Sequence, residues 1–202
     1  MRMMTPLTPS PMYSIIAGIQ ISDNVESMVQ KLKNAGYLPD QKNTNSVDGI
    51  IKGPSFDQLI KIARKELSYR DANDSIEQLR YIKGEETITV MFRPYPDGTA
   101  PESIHYNNFS PAITIENITP KAVSKYGEPA SRKSNILTWS DKPLENASCG
   151  QKHPTAICMT LTELRNSKKS VMFSLSGGKN APINPVKEAR KIVQKKAPDT
   201  TF

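Results

Sequence analysis

Two histidines, His105 and His153, and two cysteines, Cys149 and Cys158, are the side chains of this 202-residue chain best suited to nucleophilic, acid–base or metal chemistry. Nucleophilic catalysis needs a base beside the nucleophile and an acid to orient that base, and neither histidine stands in a motif that supplies both. His105 lies in an alternating segment and reads as a sheet-surface residue, while His153, beside Pro154, reads as a solvated loop residue. A structural zinc site takes four ligands, and His153 is the one histidine near the cysteines. Ser176-Gly177-Gly178-Lys179 lacks the Walker spacing and reads as a turn. Glu85-Glu86 falls in a polar hairpin turn, where exposure gives none of the pKa displacement that acid–base work requires. The expectation is a protein without catalysis, metal or cofactor.

Cys149 and Cys158 are separated by eight residues that include Gly150 and Pro154. That spacing can close a disulfide, which the chain-entropy model values at roughly 2–3 kcal/mol. Two unrelated thiols are the alternative. A bridge would imply a periplasmic or secreted protein. Residues 1–14 are rich in Pro, Met, Thr and Ser, with a single Arg, and lack the charged-then-apolar order of a secretory signal. They read as a flexible segment, so the expectation is an exported chain whose signal is absent from this sequence.

The formal charge of +7 favours acidic partners through long-range attraction. Much of the excess is local: Lys187, Arg190, Lys191, Lys195 and Lys196 stand against Glu188 alone. Lys187, Arg190, Lys191 and Lys195 are the candidate anion contacts. Aromatic interleaving, which single-stranded nucleic acid would favour, is missing from that segment. Sixteen prolines, ten glycines and 6% aromatic residues argue for short elements broken by loops, against a coiled coil or helical bundle. No apolar stretch approaches the roughly 18–20 residues that cross a bilayer as a helix.

The elements follow from periodicity and capping. Asp23 with Glu26 three residues later predicts a helix start, with Val25, Met28, Val29 and Leu32 on one face over residues 24–35 and Gly36 as the left-handed stop. Ser55 with Gln58 predicts a second helix over 56–68. Gly49–Gly53 reads as a short strand. Ile76–Ile82 and Thr87–Phe92 flank a glycine turn as a hairpin, and Ser103–Asn107 adds a third antiparallel strand after a Pro94–Gly98 turn. Thr119 followed by Pro120 predicts a short capped helix whose Ala122, Val123 and Tyr126 turn to the core before Gly127. Ile136–Trp139, Ala156–Leu161 and Val171–Leu175 read as a second meander, and Asn184-Pro185 opens a basic helix packed on the sheet.

Both halves thus run helix, glycine-then-proline exit, antiparallel strands, with Gly36-Tyr37-Leu38-Pro39 matched by Gly127-Glu128-Pro129. The fold expected is α+β, with antiparallel sheet and helices on one face. The expected organisation is a flexible segment at 1–14, a first repeat with an extra helix at 15–110, and a second at 111–202 ending in the basic helix. With its Tyr126-Gly127-Glu128-Pro129 exit and the strand ending at Trp139, this order resembles the tandem repeat of the β-lactamase inhibitor protein family. Small outer-membrane assembly lipoproteins of bacteria share that repeat. The resemblance implies an exported chain that binds other proteins. The chain departs from the family in having one cysteine pair, no lipid-attachment cysteine near its start, and the extra helix, so no site residue is carried over.

Tyr95, Tyr106, Phe109 and Trp139 are the large side chains suited to anchor an interface, Trp139 being also the obvious core residue. The resulting expectation is a protein-binding module of inhibitor, immunity or secreted accessory type. The alternative is a nucleic-acid-binding or anionic-surface-binding protein that uses its last helix.

Overall fold

A computed structural model describes residues 17–133, 135–141, 158–165, 169–177 and 184–195. Its elements in chain order are α1 (Val25–Asn34), β1 (Leu38–Pro39), α2 (Gln41–Thr44), β2 (Ile50–Gly53), α3 (Phe56–Ala63), β3 (Ser75–Lys83), β4 (Glu86–Tyr95), β5 (Gly98–Asn108), α4 (Ile115–Tyr126), β6 (Ser131–Lys133), β7 (Ile136–Ser140), β8 (Cys158–Arg165), β9 (Lys169–Ser176) and α5 (Pro185–Lys195). The class is α+β. The strands form a single nine-stranded sheet in the order β1-β3-β4-β5-β9-β8-β7-β6, with β2 also pairing with β3. Every pairing among the described residues is antiparallel. The two meanders therefore meet along β5 and β9 and share one sheet.

The helices begin where a side chain can satisfy their first amides. Asn24, not Asp23, caps α1, accepting from the Ser27 amide. Asp23 turns the other way: it accepts from the Gln20 amide at 2.7 Å and pairs with Lys31 at 2.7 Å. Gly36 has φ +82°, and the Tyr37 and Gly36 amides donate back to Leu32 and Lys33, so the helix closes in a left-handed cap. The box of Ser55 and Gln58 starts α3 as expected. That helix stops at Ala63 rather than 68, because Lys65 takes the left-handed conformation at φ +63° and the amides of Lys65 and Glu66 donate back to the carbonyls of Ile62 and Lys61.

The largest correction concerns α4. It starts at Ile115, capped by a reciprocal Thr114–Asn117 box, so Pro120 lies inside the helix rather than at its first position. The Thr119 hydroxyl donates to the Ile115 carbonyl at 2.5 Å in the same turn. Pro94, expected to open a turn, lies instead within β4. β3 pairs with β4 only as far as Met91, so Pro94 sits where the strand has one neighbour and a missing amide is tolerated.

One face of the sheet carries the core. Leu79 and Tyr81, Ile88 and Val90, Ile104 and Tyr106, Leu137 and Trp139, Met159 and Leu161, and Phe173 and Leu175 are all buried in one cluster with Met28 and Leu32 of α1 and Ala122 of α4. Burying each large side chain contributes roughly 1.5–3 kcal/mol. The other two long helices form a second unit: α5 packs mainly on α3, with a smaller contact on β4, and buries Ala189, while α3 buries Phe56 and Leu59. The expectation that α5 lies chiefly on the sheet is corrected accordingly.

Candidate functional site

Side chains alternate along a strand, so the residues between the core positions stand on the opposite face. Cross-strand register aligns them in three rows over β4, β5, β9, β8 and β7: Thr87, Asn107, Met172, Thr162 and Ile136; then Thr89, His105, Ser174, Thr160 and Thr138; then Met91, Ser103, Ser176, Cys158 and Ser140. None of these residues belongs to the main core cluster. Most are half-buried, with Thr87, Ser103 and Cys158 buried and Ile136 exposed. The patch contains no lysine, arginine, aspartate or glutamate, in a chain that is 23% charged.

His105 is its centre. Its Nε2 lies 2.9 Å from Ser103 Oγ, and its Nδ1 lies 2.9 Å from Ser174 Oγ. Burial lowers its pKa, so the ring is neutral at physiological pH. Among the described residues no carboxylate touches the ring, and a serine–histidine–acid relay is not assembled. The sequence reading of His105 as a sheet-surface residue holds, but the two flanking serines come into view only with the strand pairing.

At the outer side of Thr89, the middle row continues to Arg80 on β3. There Arg80 Nε is 2.6 Å from Asp40, whose carboxylate also receives the Asn43 side-chain amide at 2.8 Å. Burial pushes the Asp40 pKa upward, but the hydrogen bonds from Arg80 and Asn43 and the guanidinium charge outweigh it and hold the group below its ordinary range. Arg80 is thus neutralised beside the patch. Glu86 is not the solvated turn residue expected, since it accepts a short hydrogen bond from the Tyr37 hydroxyl. Burial first, then that bond, pushes the Tyr37 pKa up.

The candidate aromatic anchors divide sharply. Tyr95, Tyr106 and Trp139 are buried in the chain's own interior, which corrects their assignment to an interface; Phe109 alone reaches the surface, at 39% exposure. Trp139 donates from Nε1 to the Gly127 carbonyl at 2.8 Å, and Tyr106 accepts from Asn108 at 2.9 Å. Lys187, Arg190, Lys191 and Lys195 are exposed on α5, and Asn184 caps that helix by accepting from the Val186 and Lys187 amides. Cys158 begins β8 opposite Ser140, with its sulfur 3.8 Å from Ser140 Oγ. Cys149, His153 and residues 1–14 lie outside the described residues, as does the pairing of the two cysteines.

No described helix is long and apolar enough to cross a membrane. Compared with protein-family models, curated proteins and solved structures, the chain matches none.

Proposed function

We propose that this chain is a protein-binding module that docks a partner on the uncharged hydroxyl face of its sheet. The observation that carries the reading is the three-row patch around His105, polar yet without a charged side chain. Interface centres are depleted in charge, because desolvating an ion costs more than desolvating a hydroxyl. Serine and threonine also lose little rotamer entropy when a partner covers them, whereas lysine or glutamate loses up to about 2 kcal/mol each. A sheet face meant only for water has no need to exclude charge. The resemblance to the β-lactamase inhibitor protein repeat and an exported location fit the same reading, with the Cys149–Cys158 bridge as its redox counterpart.

The test is capture from the envelope and culture medium of the source organism, against empty beads and against Thr89→Arg/Thr160→Arg, which sets two charges in the middle row. A protein retained by the parent chain and lost by the folded variant supports the reading. Retention by both, or by neither, sinks it.

A second reading rests on α5, where Lys187, Arg190, Lys191 and Lys195 are all exposed and only Lys191 has an ion-pair partner, Glu188 at 2.8 Å, among the described residues. Four cations on one short helix suit an anionic surface such as nucleic acid. Retention on DNA that falls steeply with salt would favour it.

A further inference from the structure

A cleft of about 300 Å³ opens between the α3–α5 pair and the strands β4 and β5. Leu59, Ile76, Met91 and Pro185 give it apolar walls. Two carboxylates line it, and they differ in kind. Glu102 is paired with Arg93. Glu77 has no hydrogen-bond or ion-pair partner among the described residues.

The fold holds Glu77 where it is. The β2–β3 register shifts between Ile51 and Lys52, which leaves Glu77 without a partner on β2. Gly53 accommodates it: a Cβ at Gly53 would meet the Glu77 carboxylate at 2.7 Å and its Cβ at 2.9 Å. Tyr69, which also lines the cleft, is 56% exposed. Its hydroxyl pKa is raised by burial and then by the charge of Glu77, so the two groups sense one another.

We propose that this cleft binds a primary ammonium group on an unbranched aliphatic stem, the stem against the apolar walls and the ammonium between Glu77 and the ring of Tyr69. An unbalanced carboxylate supplies a charge-assisted acceptor, an aromatic face adds attraction for the cation, and the walls take the methylenes. Anions are disfavoured. The first amides of α5 beside the cleft already donate to Asn184, and Arg93 already serves Glu102. The cleft adjoins the sheet face at Met91, which belongs to its third row, but the charged end at Glu77 lies outside that patch.

The experiment is a methyl-detected NMR titration of the full chain, read at Met91 and Val186, with three probes: n-pentylammonium, N-acetyl-lysine methylamide and n-pentanoate. Both cations are expected to give saturable shifts and pentanoate none. Tighter binding of the lysine amide assigns the site to a partner's lysine; tighter binding of pentylammonium assigns it to a free amine. Glu77→Gln should weaken binding about ten-fold. Tyr69→Ala, at an exposed position, should weaken it about three-fold. No saturable shift with either cation, an equal response to pentanoate, or unchanged affinity in folded Glu77→Gln overturns the proposal.

Discussion

His105 and Ser174 stand opposite one another on β5 and β9, with Nδ1 and Oγ 2.9 Å apart. Ser103 holds the other ring nitrogen at the same distance, 2.9 Å. A hydroxyl can donate to or accept from a neutral imidazole, but it brings no negative charge to balance an imidazolium in a half-buried site. The folded pKa is therefore below 6.5. Between that lower value and 6.5 the unfolded chain binds the proton and the folded chain does not, so stability falls as pH drops through this window and levels off below it. His105→Gln should remove that component. Urea midpoints compared at about pH 7.5 and about pH 5, on either side of the ordinary histidine range, should show a smaller acid loss in the variant than in the parent. Equal losses would refute the assignment.

Asp40 is 1% exposed and receives Arg80 at 2.6 Å, while Arg80 remains partly open to water. Asp40→Asn should cost about 2–3 kcal/mol, toward the lower end for breaking a buried pair because solvent screens the surviving guanidinium. Since the folded pKa is held below 3.8, the contribution is complete at neutral pH and disappears only as acid protonates the folded carboxylate. Chemical denaturation near neutrality measures the loss, and the variant's acid limb should be flatter. A change under about 0.5 kcal/mol, the range of ordinary surface substitutions, would contradict it.

Gly49 joins this pair to β2. Its φ is +71°, and an added Cβ would stand 2.5 Å from the Arg80 carbonyl oxygen and 3.2 Å from Pro39. Backbone cannot retreat as a flexible side chain can. Gly49→Ala should cost at least about 2 kcal/mol, combining left-handed strain with displacement of the β2–β3 pairing. By contrast, Gly84→Ala also carries a positive φ, +58°, but meets nothing within 4 Å, and should cost less. Thermal unfolding of the two variants ranks them; the reverse order would refute the close-approach argument.

How much of this was legible depends on the range of the interaction. The Ser55–Gln58 box and the Asn184-Pro185 start of α5 are local, and both were readable. The Thr114–Asn117 box is equally local but uses asparagine in place of the glutamate or glutamine that marks the pattern, so Thr119-Pro120 gives the stronger start signal in the sequence. Tyr95 was placed beside a turn because Pro94 precedes it, although β4 runs through both. The hydroxyl face was beyond reach. His105 and Ser174 are 69 positions apart, and a register slip of one residue would send either to the core side. The register itself shifts in β4–β5 between Met91 and Phe92, where Glu102 is the extra residue, and nothing local announces that.

The cysteine pair gives a prediction that also bears on export. Cys158 is buried at the start of β8, and a bridge from Cys149 would tie the 142–157 connection to the sheet. Intact protein treated with iodoacetamide after denaturation without reductant should stay unmodified at both cysteines, and reduction should lower stability by roughly 2–3 kcal/mol. Alkylation of both without reductant would remove the bridge and with it the chemical case for an oxidising compartment.

Trp139, the chain's one tryptophan, donates to the carbonyl of Gly127, the C-cap of α4. The helix end is otherwise secured by the Gly127 amide on Val123, at 2.8 Å, and by the edge contact of Tyr126 with the indole, 6.1 Å between centroids. Trp139→Phe keeps an aromatic ring in the core but removes the donor and leaves both the Gly127 carbonyl and a void beneath Tyr126. The combined cost should be about 2–3 kcal/mol. Far-UV circular dichroism follows the unfolding, since the variant has no tryptophan emission. Packing loss alone would destabilise the whole domain evenly, whereas a released cap should also speed exchange of the Gly127 amide beyond the global change. If that amide exchanges no faster than its neighbours in the core strands, the indole acts through volume and the helix end does not depend on its hydrogen bond.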